Sequence, residues 1–277
     1  MSTKILILGR GYMGHRLQEG LSCSVTEQRI NSLADAQKVL ADHKPKILIN
    51  AIGFTGGGSV DGCESNLEKT IFANAFVPLL LAEACLRSHV KLVHISSGCI
   101  YHFDYKRGQR PITEMQTPDY FDLYYSRTKI YSEQPLVNLS RAYNILITRI
   151  RIPLDDRPHP KNILSKLIQY KRVIDIPNSV TYVPDFIAAL KHLLKIDARG
   201  LYNIVNKGTL RYPQLLKRYQ KHVPEFQFET ISYQSLKMNR TNLALSCRKL
   251  ESSGFKMRPI KAVLEEAITG FLRGSNN

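Results

Sequence analysis

The most constraining stretch of the chain is its first twenty residues. A run of aliphatic side chains, Lys4-Ile-Leu-Ile-Leu8, leads directly into Gly9-Arg10-Gly11-Tyr12-Met13-Gly14 and then into a helical pattern that reaches about Gly20. A short strand with no polar alternation is buried on both faces, which places it in a parallel sheet covered by helices. Glycines at the turn let the backbone approach a pyrophosphate, and the helix start adds unpaired N–H groups and a positive dipole end. Gly9, Arg10, Gly11, Tyr12, Met13 and Gly14 are therefore expected to contact a dinucleotide, although the same glycines would also serve a plain tight turn.

A second strand, Cys23 to Glu27, should carry at its end the residue that reads the adenosine ribose. Glu27 suits NAD(H), whereas Arg10 and Arg29 together suit a 2′-phosphate, so NADP(H) is favoured and NAD(H) kept as the alternative. A helix over Ser32 to Ala41 and a strand over Lys46 to Asn50 follow, the strand ending in Ala51-Ile52-Gly53. The loop Phe54 to Ser65 is glycine-rich and reads as mobile. From Asn66 to about Arg87 runs a long helical pattern in which Pro78 lacks the N–H that would bond the carbonyl of Asn74. That carbonyl is free either to hold a water or simply to mark a kink. The strand Lys91 to Ile95 then runs into Ser96-Ser97-Gly98-Cys99-Ile100-Tyr101, small polar residues at the strand end where open α/β sheets place their chemistry. His94, inside that strand, reads as a core histidine.

Tyr125 and Lys129 stand four apart on a helix opening near Phe121, so they share a face. A neighbouring ammonium favours phenolate and brings a tyrosine toward a working acid/base range. The pair is expected to protonate a carbonyl under reduction, with Ser97 as a second donor, although such spacing also occurs on solvated helix faces.

Charge narrows the partners. The formal net charge is +16, from 39 basic and 23 acidic residues, but the cations are spread along the whole chain without a run or a nucleic-acid module. Phosphorylated small molecules are the expected anions, and nucleic acid is not. Five cysteines, Cys23, Cys63, Cys85, Cys99 and Cys247, form no Cys-x-x-Cys pair, which suits reduced thiols in the cytoplasm and suggests no metal site. No signal peptide is read at the N-terminus, and no stretch reads as approaching the ~18 apolar residues of a membrane span.

Taken together, several segments carry a resemblance. They are Asn50-Ala-Ile-Gly53 with Thr55-Gly56, Val60-Asp-Gly-Cys-Glu-Ser65, Gly98-Cys-Ile100, Thr117-Pro118, Tyr125-Ser-Arg-Thr-Lys129, Asn162-Ile-Leu-Ser-Lys166 and Val173-Ile-Asp-Ile-Pro-Asn-Ser179. With them the chain resembles the extended short-chain dehydrogenase/reductases from Lys4 to about Phe271, most closely the nucleotide-sugar 3,5-epimerase/4-reductases that make NDP-rhamnose. It departs from their Gly-x-x-Gly-x-x-Gly spacing, its first interval being one residue shorter.

The resemblance implies a Rossmann-type doubly wound parallel sheet with a smaller C-terminal substrate-binding lobe. The expected division is 1–153 for the NADP-binding domain, with a returning segment at about 172–206, and 154–171 with 207–277 for the lobe. It puts Asn74, Ser97, Tyr125 and Lys129 in the reductase tetrad, and Cys99 and Lys166 in the epimerase acid/base pair. Further cofactor contacts are implied at Ala51, Gly53, Tyr125, Lys129 and Ile152, and substrate contacts at Thr55, Ser97, Cys99 and Asn162. The implied reaction turns UDP- or dTDP-4-keto-6-deoxyglucose into the corresponding L-rhamnose nucleotide with NADPH. Alternatives left open are a 4-reductase or 4-epimerase without 3,5-epimerase activity, and a noncatalytic subunit on the same fold. A nucleotide-sugar is the expected partner, no membrane is, and a homodimer is left open.

Overall fold

Apolar strands punctuated by glycine turns are buried on both faces only if helices return over a parallel sheet, and the computed structural model has that arrangement. It describes residues 4–235 and 240–275. In chain order, β1 (Ile5–Leu8), α1 (Tyr12–Leu21), β2 (Ser24–Thr26), α2 (Leu33–His43) and β3 (Ile47–Asn50) alternate. Next come α3 (Leu67–Ile71), α4 (Val77–Arg87), β4 (Lys91–Ser97), α5 (Tyr124–Leu139) and β5 (Ile145–Ile150). The remainder comprises β6 (Pro153–Leu154), α6 (Ile163–Leu167), β7 (Arg172–Ile174), β8 (Thr181–Tyr182), α7 (Val183–Lys195), β9 (Gly200–Asn203), α8 (Tyr212–Gln220), β10 (Glu229–Ile231), α9 (Arg248–Ser252) and α10 (Ile260–Ser275).

Six strands form one sheet in the order β2-β1-β3-β4-β5-β9. β1 pairs in parallel with β2 and β3, and β3 in parallel with β4. The order reverses at β1, so the switch point lies between the carboxyl ends of β1 and β3. This is the doubly wound sheet expected, and the strand beginning at Gly200 returns to its edge. Leu6, Leu8, Leu48, Leu92 and Ile147, with helix residues such as Val39 and Leu81, make its core.

The chain falls into two compact units. The first holds Met1–Ile100, Pro118–Arg149 and Leu193–Tyr202; the second holds Tyr101–Thr117, Ile150–His192 and Asn203–Asn277. These boundaries differ from the expected 1–153 with a return at 172–206. β7 pairs with β10 and β8 with β6, so 172–192 build the second unit instead of the main sheet. Ile112 bridges to Leu245, which takes 101–117 there as well. Leu154, Leu164, Tyr182, Leu215, Leu264 and Phe271 are among its core residues. Of the expected ranges, residues 1–3, 236–239 and 276–277 lie outside those described.

The long helical pattern before β4 is continuous but not uniform. Pro78 denies Asn74 its i−4 partner, and a π-helical turn over Phe72–Phe76 takes up the slack, with the Val77 N–H reaching back to the Phe72 carbonyl. The whole helix, Leu67–Arg87, spans 21 residues and is apolar enough to cross a membrane by length and composition, contrary to the expectation that no stretch comes close. Half of the apolar window is buried, and α4 packs on α2 and α5, the position of a core helix.

Candidate active site

At the switch point, Gly9 has φ +103° and its Cβ would lie 3.0 Å from the Ile52 nitrogen, while a Cβ on Gly14 would lie 1.9 Å from the Gly9 carbonyl oxygen. Both glycines are thus required for α1 to close on the turn. Gly11 differs. It is the N-cap of α1, offers no side-chain cap, and nothing lies within 4 Å of where its side chain would begin. The start of α1 therefore carries no side-chain cap from Gly11 and is unobstructed beside it, so this turn fits a pyrophosphate at a helix N-terminus. Arg10 reaches Glu27 at 3.7 Å, both side chains being exposed, and Arg29 is exposed two residues further on.

α5 brings Tyr125 (8% exposed) and Lys129 (4%) onto one buried face. Burial holds the Lys129 ammonium down to about 8, while Glu133 one turn later, and then Cys63, pull it back up. At the end of β4, Ser97 Oγ accepts the Cys99 N–H at 3.1 Å, which leaves the Ser97 hydroxyl proton to be donated elsewhere. The Cys99 carbonyl accepts from Ser126 Oγ at 2.5 Å, so the half-buried Cys99 is pinned between β4 and α5. His94 is fully buried, and burial, then Lys129, hold it well below the ordinary imidazole range. Its Nδ1 lies 3.2 Å from Asn50 Nδ2, the environment of a neutral core histidine.

The π turn aims Asn74 inward. Its Oδ1 accepts the Phe54 N–H at 2.8 Å, and its Nδ2 donates to the Phe54 carbonyl at 2.9 Å and to Thr128 Oγ1 at 3.3 Å. Lys129 Nζ and Asn74 Oδ1 each lie 3.5 Å from where a Gly53 side chain would begin, so the first unit gathers Gly53, Asn74 and Lys129. Ala51 continues β3 by donating to the Leu8 carbonyl at 2.9 Å. The loop after Gly53, read from sequence as mobile, is closed on itself instead. A Cβ on Gly56 would meet the Ser59 carbonyl oxygen at 2.0 Å, and one on Gly62 the Gly56 oxygen at 2.1 Å. Asn66 Nδ2 donates to the Gly62 carbonyl at 2.8 Å, and Cys63 is buried beneath. Thr55 sits half-buried in this loop.

Ile152, Asn162 and Lys166 fall in the second unit. Ile152 has φ +40°, a left-handed backbone that a β-branched residue before proline adopts only when held there. Arg151 does the holding: its N–H donates to Thr181 Oγ1 at 3.0 Å and its carbonyl accepts the Thr181 N–H at 2.7 Å. Asn162 is fully buried and caps α6; its Oδ1 accepts the Leu164 N–H at 3.1 Å and its Nδ2 donates to the Asp155 and Arg157 carbonyls at 3.0 and 2.8 Å. In this structure its side chain is committed to the scaffold. Lys166, half-buried on α6, has its pKa lowered by burial and by the like charges of Lys161 and Arg240. His159 Nδ1 accepts the Lys161 N–H at 3.0 Å.

Two features of the first unit escape a reading by sequence. Glu133 and Arg149, each 1% exposed, form a bidentate ion pair, and Ser96 Oγ donates to Glu133 at 2.6 Å. Arginine within the apolar run Ile145–Ile150, and a glutamate one turn past Lys129, are the signals that could have found it. The other is Glu64, whose Oε1 accepts the Tyr124 N–H at 2.6 Å from 60 residues away in the chain.

The profile of the RmlD substrate binding domain family matches residues 3–272. A bifunctional dTDP-4-dehydrorhamnose 3,5-epimerase/dTDP-4-dehydrorhamnose reductase of Arabidopsis thaliana is 30% identical over 247 residues, covering 84% of this chain and 80% of the relative. The structure superposes on that of a UDP-rhamnose synthase from Acanthamoeba polyphaga mimivirus with a TM-score of 0.89 at 22% identity, covering 98% of this chain and all of the other. A dTDP-4-dehydrorhamnose reductase from Bacillus anthracis, solved in complex with NADP, gives 0.79 at 20% identity, covering 96% and 99%.

Proposed function

The chain belongs to the RmlD substrate binding domain family, and from that membership and its own residues we propose that it is a bifunctional 3,5-epimerase/4-reductase. It converts UDP- or dTDP-4-keto-6-deoxyglucose to the L-rhamnose nucleotide with NADPH. The observation that carries this reading is the buried Tyr125 and Lys129 on one face of α5, beside a β4 end that bears Ser97 and the tethered Cys99. The Arabidopsis relative is named for both activities, and the Bacillus anthracis structure holds NADP.

Gly9 to Gly14, with Ala51, Gly53 and Ile152, would hold the dinucleotide, and Arg10 and Arg29 its 2′-phosphate. When bound, the nicotinamide supplies the hydride that reaches C4. The 4-keto group acidifies the hydrogens on C3 and C5, and their removal builds negative charge on O4, which the Ser97 and Tyr125 hydroxyls stabilise. Cys99 and Lys166 exchange the protons at those carbons, one as acid and one as base; a lysine whose pKa is lowered by burial is suited to that work. Tyr125 then protonates O4 during reduction, and the neighbouring Lys129 ammonium eases that transfer by stabilising the phenolate it leaves. Thr55 serves the sugar nucleotide, and Asn162 supports it by fixing the loop before α6.

Incubation of the protein with each keto sugar and with NADPH or NADH tests the reading. A 6-deoxy-L-sugar nucleotide formed faster with NADPH is expected. A D-configured product would remove the epimerase half, and consumption of neither coenzyme would remove the reductase half.

A further inference from the structure

α5 begins without a cap of its own, since its N-cap is Leu123 and makes no side-chain hydrogen bond. Its first-turn N–H at Tyr124, next to Tyr125, is taken by a carboxylate from a different part of the chain, Glu64. Glu64 comes at the end of a closely packed loop: a Cβ on Gly56 or Gly62 would run into a backbone oxygen, Cys63 is buried, and Asn74 ties Phe54 to Thr128 in α5. Thr70 adds a bond to the Asn66 carbonyl at 2.7 Å just past the carboxylate. The loop therefore grips α5 twice, at its entrance and one turn inside. A negative group is also the favourable charge at a helix N-terminus.

We propose that Glu64 is a positioning residue for the reduction: it caps α5 from the closed loop and thereby fixes the height and angle at which the adjacent Tyr125 presents its phenol. This rests on the reductase reading above. A cap that acts through α5 on the placement of Tyr125 should, when lost, fall on kcat and leave both KM values in place.

The test compares Glu64→Ala, which removes the acceptor, with Glu64→Gln, which keeps an oxygen able to accept the Tyr124 N–H. Reduction of the keto sugar at saturating NADPH is read well below the melting temperature, beside hydrogen exchange of the Tyr124 amide. The proposal expects kcat of Glu64→Ala to fall roughly tenfold, the scale of one helix cap, with KM within about twofold, and Glu64→Gln to restore most of the loss. Faster exchange at Tyr124 in the alanine variant alone should accompany it. Glu64→Ala that merely melts earlier, with kcat kept, would overturn the proposal, as would Glu64→Gln as slow as Glu64→Ala. Wild-type protein that reduces neither keto sugar would remove the reductase reading and this proposal with it; protection of the Tyr124 amide tells that result from a failure of the cap itself.

Discussion

Lys129 gives up its proton more readily than an ordinary lysine because its charge is stripped of water, and Glu133 only partly compensates. With a folded-state pKa of about 8, it is an ammonium below that value and neutral above it. The sign for stability follows. Between about 8 and the ordinary 10.5 the unfolded chain holds a proton that the folded chain has released, so this group makes the fold more stable as pH rises across that window. Activity goes the other way, because the ammonium is the working form. Reductive kcat is expected to decline as pH rises through about 8, and Lys129→Met to lose both that limb and most of the rate. Tyr125→Phe keeps the ring and loses the proton donor, so its kcat should fall by about 10²-fold or more with folding retained. A pH–rate series on the wild type and both variants checks this; a phenylalanine variant at wild-type speed would mean that another group protonates O4.

Among the elements, the β1–α1 turn separates folding from binding within six residues. Gly14→Ala drives a Cβ into the Gly9 carbonyl, so α1 must shift and the melting temperature should drop by several degrees. Gly11→Ala meets nothing, so the melting temperature should hold while NADPH affinity falls, because the new methyl stands where the pyrophosphate approaches. Calorimetry of both variants, with and without NADPH, reads the contrast; Gly11→Ala binding as tightly as wild type would place the pyrophosphate elsewhere. This turn was legible from sequence because all its parts are local: apolar strand, glycines and helix lie within twenty residues. So were most strands; Pro78 marked an irregularity in its helix, read as a freed carbonyl or a kink, and the structure resolves it as a π turn. The closed loop was not. Its glycines look like freedom, and only their contacts with Ser59 and Gly56 show that they are there for close approach. Nor does any local signal join Glu64 to Tyr124, since a cap supplied across sixty residues leaves no spacing to read.

At the scale of the whole molecule, the doubly wound sheet is expected from the resemblance and from the alternation of strand and helix, whereas the strand order and the unit boundaries come from the pairings. Strands as short as β7 and β8 carry too little pattern to say where they pair, and it is pairing with β10 and β6 that assigns 172–192 to the second unit. The bifunctional reading assigns proton exchange to Cys99 and Lys166. Deuterium uptake tests it most directly. With the 4-keto-6-deoxyglucose nucleotide in heavy water and no NADPH, the wild type is predicted to incorporate deuterium at both C3 and C5 by NMR. Cys99→Ser and Lys166→Ala should each lose uptake while still melting cooperatively and binding NADPH. Uptake at wild-type rates in both variants, or none in the wild type itself, would contradict the account.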